Sequence, residues 1–223
     1  MIDVYLEVGK KKTIAGALEW PGWSRGGKDE DLALRVLCDY GVRYADVLNA
    51  AGLEFQAPSE MSAFNVAERL DGDATTDYGT PGLAPAYDAK PLNEDQLERL
   101  LAVLNACWGK FDQAVRGAKG KELRKGPRGG GRDLDKIFHH VLDADIAYLR
   151  KVGFKLDQPE GAGPQDVLQR YRQAVPQALA ASRRGELPSQ GPRGGRIWTA
   201  RYFVRRSAWH VLDHAWEIED RIL

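Results

Sequence analysis

The chain has 223 residues, of which 43% are hydrophobic and 29% charged, a composition that is ordinary for a globular protein and excludes wholesale disorder. Lysine plus arginine and aspartate plus glutamate number 32 each, so net charge gives no reason to expect a nucleic acid or an anionic membrane as a partner. Two distant cysteines, Cys38 and Cys107, predict neither a disulfide framework nor a thiolate zinc site. Because no window approaches the roughly 18 apolar residues of a membrane span and the N-terminus does not resemble a signal peptide, we expect a soluble, cytoplasmic protein.

The N-terminal part begins with β patterns. Ile2–Val8 and Thr13–Leu18 flank a Gly-Lys-Lys-Lys turn, and together they predict a β-hairpin. Apolar residues at helical spacing then predict one helix over Asp29–Asn49, which Gly41 weakens. This part of the chain is therefore expected to mix strand and helix.

Two further extended segments are predicted before a linker. Phe64–Leu70 and Thr75–Tyr78 flank an Asp-Gly-Asp turn and are expected to be strands. Gly79–Pro91 contains three prolines and two glycines, a composition that disfavours regular structure. We place a domain boundary near residue 90, with a small α/β domain and linker over 1–90.

Residues 91–223 show four long helical patterns with no convincing strand between them. Helices of about 20 to 28 residues joined by loops are what an antiparallel four-helix bundle requires, so the whole chain is predicted to be α+β. The basic, glycine-rich Lys119–Arg132 is expected to be a flexible loop, since no strand–loop–helix context of a phosphate-binding loop surrounds it. The predicted helices are Asn93–Gly117, Asp133–Val152, Pro164–Arg183 and Arg196–Leu223.

All four histidines lie on the second and fourth of these helices. His210 and His214 are four residues apart, so about 40° separates them around the helix and both can reach one ion. A third ligand from the other helix completes a site that zinc, nickel, iron and manganese accept. His140 is favoured over His139, because it shares the edge of the apolar arc with small residues while His139 points toward charged ones. The sequence therefore predicts a divalent-metal site of His140, His210 and His214.

Acidic and basic residues near the histidines are candidates for further roles. Asp145 falls within the apolar arc of its helix, where an unpaired carboxylate is expensive to bury. It either accepts a hydrogen bond from a ligand histidine or pairs with an arginine of another helix. Glu217 continues the histidine stripe and is placed to act as a base on bound water, so Asp145 and Glu217 are the candidate catalytic residues. Arg206 or Arg221 is a candidate to hold an anionic substrate group.

The segments IFHHVLDADIAYLRKVG and RRSAWHVLDHAWEIEDR together resemble the DinB/YfiT-like superfamily of metal-binding four-helix bundles. The family pattern carries over to His140, to Asp145 as the acidic position usually held by glutamate, and to the pair His210 and His214. The resemblance covers about residues 92 to 223 and implies a nickel or zinc ion with open coordination positions, and frequently a homodimer. It also implies thiol S-transferase or hydrolase activity on a small-molecule substrate, with bacillithiol, mycothiol or glutathione as the low-molecular-weight thiol.

The segment GALEWPGWSRGGKDEDLAL is similar to the HicB-like fold of antitoxins and related small domains. Family members usually show a small residue or cysteine after the Pro-Gly, where this chain has Trp23. No helix-turn-helix pattern follows, so repression of transcription is not supported, and we interpret the domain as a ligand-sensing or packing module. Trp20 and Trp23 either line a pocket or, as we favour, pack in a core or domain interface.

Two functions from different classes follow. The first is a metal-dependent transferase or hydrolase in which the ion activates water or a thiol. The alternative is a non-catalytic, metal-stabilised binding or stress-associated interaction protein, since only metal ligands are visible in the sequence. A third interpretation makes the histidines ordinary core or surface residues.

Overall fold

A computed structural model describes residues 1–125, 131–157, 159–191 and 194–223 and shows a mixed α/β fold. A four-stranded sheet is followed by long helices. None of the described helices combines the length and apolarity that crossing a bilayer requires. The strands and helices are β1 Ile2–Val8, β2 Thr13–Ala17, β3 Ser24–Gly27, α1 Glu30–Asp39, α2 Gly41–Asn49, β4 Phe64–Asp71, α3 Ala74–Tyr78, α4 Glu94–Ala118, α5 Leu134–Lys151, α6 Pro164–Arg183 and α7 Ala200–Arg221.

The predicted hairpin is confirmed and forms the middle of the sheet. β1 pairs antiparallel with β2 and parallel with β4, in the strand order β3-β2-β1-β4. Tyr5 of β1 lies opposite Gly16 of β2, and a Cβ at Gly16 would come within 2.5 Å of the Tyr5 ring. Glycine at this position therefore lets a large aromatic side chain lie flat across the neighbouring strand. The short strand β3 was not predicted.

The single helix predicted over Asp29–Asn49 is wrong, because the structure has two helices that meet at Tyr40. The indole N–H of Trp23 donates a hydrogen bond to the carbonyl of Leu37 at 2.8 Å, the carbonyl that a continuous helix would pair with the amide of Gly41. Trp23 is 1% exposed and stacks on Tyr44 with 5.8 Å between ring centroids. Trp23 is thus a core residue, as favoured from the sequence, and its insertion ends α1.

The extended segment predicted over Thr75–Tyr78 is also wrong, because α3 occupies Ala74–Tyr78. The Asp73 side chain accepts hydrogen bonds from the first amides of this helix, and the Thr76 hydroxyl accepts one from the Asp73 amide. Gly79 then ends the helix in the left-handed conformation, with φ at 101°. A capping box and a C-terminal glycine outweigh the weak helix preference of threonine.

The four predicted long helices are present; α6 has the predicted ends, and the ends of the other three differ from the prediction by one to four residues. α7 begins at Ala200 rather than Arg196, because the Thr199 side chain caps it. Each of α4, α5, α6 and α7 packs against the other three, and α7 packs most extensively against α4. One continuous core joins side chains of the sheet, such as Leu6, to side chains of the helices, such as Phe203. α7 therefore packs against each of the other long helices and contributes to the shared core.

A buried ion pair joins α7 to the sheet and to the segment predicted as a linker. Asp88, in a single 3-10 turn over Ala86–Ala89, is 1% exposed and receives two hydrogen bonds from Arg205, at 2.7 and 2.8 Å. The same guanidinium donates to the carbonyls of Ala17 and Leu18. Although burial by itself lowers the pKa of Arg205, the neighbouring Asp88 carboxylate raises it above its ordinary value. Arg205 is therefore charged and fully engaged in holding these elements together.

Candidate metal centre

α5 and α7 bring three of the four histidines together. Ligand atoms of His140, His210 and His214 all lie within 4.8 Å of one another, and we call these residues the three-histidine cluster. His210 and His214 are one turn apart on α7, and their ring centroids are 4.7 Å apart. His140 reaches them from α5, whereas His139 is exposed to solvent. The choice of His140 over His139 made from the apolar arc thus agrees with the arrangement of the side chains.

The spacing within the cluster fits a shared metal ion. The Nε2 atoms of His140 and His210 face each other at 3.3 Å. Bonds of about 2.0 to 2.1 Å to one tetrahedral zinc ion separate two ligand nitrogens by roughly 3.3 Å. A neutral imidazole presents either an N–H or a lone pair at Nε2, so the two rings either share one proton or, when both present lone pairs, can bind one cation.

Burial keeps two members of the cluster in the neutral form that metals require. It lowers the pKa of His210 well below its ordinary value, with smaller contributions from the charges of His214 and Arg206. It also lowers the pKa of His140, to which His214 contributes in the same direction. A neutral imidazole is the ligand form of histidine, so neither residue has to lose a proton at neutral pH before it binds an ion.

Glu217 lies behind the cluster and fixes the orientation of His214. Its Oε2 is 2.7 Å from His214 Nδ1, which leaves His214 Nε2 as the other ring nitrogen available for a ligand bond. Its Oε1 accepts a hydrogen bond from Arg221. The hydrogen bond with His214 is the main reason that the pKa of Glu217 is lowered, so the carboxylate is ionised. The structure places Glu217 as an acceptor that orients His214, and its role as a base on water stays a prediction.

Asp145 lies deeper in the protein, between α5 and α6. It is 1% exposed, and burial raises the pKa of its carboxyl group to about 8 even though the charge of Arg172 acts in the opposite direction. Neither carboxyl oxygen has a hydrogen-bond partner of good geometry among the described residues, although the nearby Tyr171 hydroxyl, like Arg172, acts to lower the pKa. The guanidinium of Arg172 binds both oxygens of Asp112, at 2.6 and 2.8 Å. The structure therefore brings Asp145 near an arginine of another helix without a hydrogen bond to it or to a histidine.

An aromatic wall adjoins the cluster and was not predicted. The ring centroids of Tyr148 and His210 are 5.7 Å apart, those of Tyr148 and Trp198 5.2 Å, and those of Trp198 and Tyr202 4.8 Å. Trp198 and Tyr202 also line a cavity of about 310 Å³ against residues 82–89. Tyr202, Arg206 and His210 follow one another at intervals of four residues, which places them on one face of a helix. This spacing was the signal in the sequence. Tyr148 and Trp198 come from other parts of the chain.

The described ends of the basic stretch Lys119–Arg132 are tied to the end of α7 beside the cluster. Arg221 donates hydrogen bonds to the carbonyls of Arg124 and Arg132, at 2.7 and 2.9 Å. The amide of Arg124 returns one to the carbonyl of Arg221. The rest of the predicted loop, residues 126–130, lies outside the described residues.

Comparison of the chain with protein-family models, with curated proteins and with solved structures found no match. The DinB/YfiT-like and HicB-like resemblances accordingly stay predictions from the sequence motifs.

Proposed function

We propose that this protein binds a divalent transition-metal ion, zinc or nickel, through His140, His210 and His214. The observation that carries the proposal is the convergence of three ligand atoms within 4.8 Å, with two Nε2 atoms 3.3 Å apart. The packing of α4 to α7 supports a DinB/YfiT-like four-helix bundle over residues 91–223, and the four-stranded sheet supports a HicB-like module over residues 1–90. Iron and manganese are accepted by the same ligands.

The proposed activity is a metal-dependent thiol S-transfer or hydrolysis on a small molecule. Three histidine ligands leave coordination positions open, and a divalent ion there lowers the pKa of a bound water or thiol. Glu217 holds His214 in the ligand orientation, and Arg221 holds Glu217. His140 is the partly exposed member of the cluster, so its side is the direction from which a small molecule approaches.

A second candidate, a non-catalytic metal-stabilised protein, is favoured by the burial of two ligands. His210 is 6% and His214 8% exposed, and an ion held with His140 would connect α5 to α7. In that case the ion contributes to folding and not to turnover.

Metal analysis of protein purified without a histidine tag tests the centre itself. We expect about one zinc or nickel ion per chain in the unaltered protein and in His139→Ala, which removes an exposed neighbour on the same helix. His140→Ala and His210→Ala should lose the ion, because two imidazoles alone form a weak site. Full occupancy in His210→Ala would exclude the three-histidine centre.

Thiol-dependent turnover separates the two candidate functions once the ion is established. Conjugation and hydrolysis are measured with bacillithiol, mycothiol and glutathione, for the metal-loaded protein and after removal of the ion. Turnover that depends on the ion supports the enzyme. Its absence with every thiol supports the metal-stabilised protein.

A further inference from the structure

Arg206 is a cation beside the three-histidine cluster, and one of its guanidinium nitrogens makes no hydrogen bond to the described residues. It lies four residues before His210 on α7, which is a rise of about 6 Å along the helix axis. Its Nη1 atom is buried and has no hydrogen-bond partner among the described residues. A buried unpaired donor costs roughly 1 to 3 kcal/mol, more when the group is charged, so the position requires an explanation.

The surroundings of Arg206 hold the guanidinium in place without satisfying it. The guanidinium carbon lies 4.7 Å from the ring centroid of Trp209 and 5.4 Å from that of Tyr148. Cation–π contacts of this kind fix the plane of an arginine but leave its N–H groups free to donate. Tyr148 in turn contacts the ring of His210. One aromatic side chain therefore touches both the free cation and a candidate metal ligand.

A purely structural role for Arg206 would be to balance the buried carboxylate of Glu7, whose pKa the arginine lowers slightly against the dominant effect of burial. The Glu7 carboxylate already accepts hydrogen bonds from the Thr76 hydroxyl and from the amides of Gly82 and Leu83. Arg206 makes none to it within the described part of the chain. Glu7 is thus satisfied by other donors, and the Nη1 atom of Arg206 is left without a partner among the described residues.

We propose that Arg206 anchors a carboxylate of the small molecule that binds at the three-histidine centre. A planar guanidinium matches a carboxylate in shape and charge and binds it through two parallel hydrogen bonds. Tyr148 and Trp198 offer an apolar surface to the rest of such a molecule. The ligand class is an amphiphilic carboxylate with a metal-binding group a few bonds from its acid. This proposal rests on the metal centre proposed above.

Two matched probes on the cobalt-substituted full chain test the proposal. Succinomonohydroxamate and butyrohydroxamate share the metal-binding group and the chain length, and they differ in a terminal carboxylate against a methyl group. Dissociation constants are read from the visible spectrum of the cobalt ion. We expect the carboxylate probe to bind about tenfold more tightly to the unaltered protein, through its charge-assisted hydrogen bonds to Arg206.

Three variants show whether Arg206 causes that preference. In Arg206→Gln the two probes should bind equally, with cobalt content and butyrohydroxamate affinity unchanged, whereas Arg206→Lys should retain part of the preference. Arg170→Gln, which removes an exposed arginine of α6, should retain all of it. Equal affinity of the two probes for the unaltered protein, an intact preference in Arg206→Gln, or an equal loss of both probes in that variant would overturn the role of Arg206. Failure to take up cobalt would instead refute the metal centre.

Discussion

Two buried polar sites lie along α7, and they differ in the hydrogen bonds that the described residues make to them. Arg205 uses its guanidinium fully, on Asp88 and on two backbone carbonyls. Five residues further on, the Nδ1 atom of His210 has no partner among the described residues, and its Nε2 atom faces that of His140. Buried polar groups in native proteins are almost always paired. The hydrogen bonds of Arg205 therefore indicate a structural junction, whereas the facing Nε2 atoms of His140 and His210 are arranged as they would be around a shared cation.

Adjacent arginines on the same helix make the contrast sharper. Arg205 and Arg206 have the same chemistry, yet Arg205 faces the sheet and finds four acceptors while Arg206 faces aromatic rings and finds none within the described residues. Residue type alone does not separate a structural arginine from a functional one. The hydrogen-bond partners do, and they depend on which side of α7 each residue occupies.

The largest effect on the free energy of unfolding is expected from breaking the buried ion pair of Arg205 with Asp88. Arg205→Met leaves Asp88 buried without its partner and should lower the free energy of unfolding by about 3 to 5 kcal/mol, as measured by urea denaturation at pH 7. The double variant Arg205→Met, Asp88→Asn should lose less than the sum of the two single variants, since the uncompensated charge is gone.

The exposed pair of Arg184 with Glu186 provides the control for this experiment, and Arg184→Gln should leave the urea midpoint unchanged. A loss below about 1 kcal/mol in Arg205→Met would mean that water or another group replaces the arginine. In that case Asp88 would not depend on Arg205 as its partner, and the pair would not be a structural junction.

A smaller effect on stability is expected from the three-histidine cluster, and only when the metal ion is bound. Zinc at about 100 times its dissociation constant should stabilise the unaltered protein by about 2.7 kcal/mol, seen as a rise in Tm over the same protein in chelator. His210→Gln keeps a polar side chain of similar reach and should show no zinc-dependent rise, while His139→Gln should behave as the unaltered protein. A rise in Tm of equal size in His210→Gln would show that zinc binds elsewhere.

The histidine cluster could be predicted because its information is local to two helices. The spacing of His210 and His214 and the position of His140 on the edge of an apolar arc follow from 3.6 residues per turn. The break between α1 and α2 could not be predicted in the same way, because the cause is the indole of Trp23, which takes the Leu37 carbonyl from a different element.

The surroundings of the site could not be predicted from local sequence patterns either. The aromatic wall combines Tyr148 of α5 with Trp198, which precedes α7, and the neighbours of Asp145 belong to α6. Such contacts depend on how the helices pack against one another. The short helix α3 is a different case, since the cap formed by Asp73 and Thr76 is visible in the sequence and was outweighed by the β preference of the threonines.

Two buried aspartates extend the comparison, since Asp88 and Asp145 are each 1% exposed but only Asp88 has an arginine bonded to it. Burial raises the pKa of Asp145 from 3.8 to about 8. Between these values the folded protein holds a proton that the unfolded chain releases, so the contribution of Asp145 to stability falls as pH rises and levels off above pH 8. Asp145→Asn removes this titration. Its free energy of unfolding, relative to the unaltered protein, should rise by about 1 kcal/mol for each pH unit between pH 5 and 7.

Urea denaturation in chelator at several pH values measures this slope without a contribution from bound metal. Asp135→Asn, which alters an exposed carboxylate of the same helix, should show no such slope. If the difference in free energy of unfolding between Asp145→Asn and the unaltered protein does not change with pH, Asp145 is ionised in the folded protein and paired with a donor such as Arg172. In that case Asp145 would be an ionised and paired carboxylate like Asp88, and the two buried aspartates would not differ.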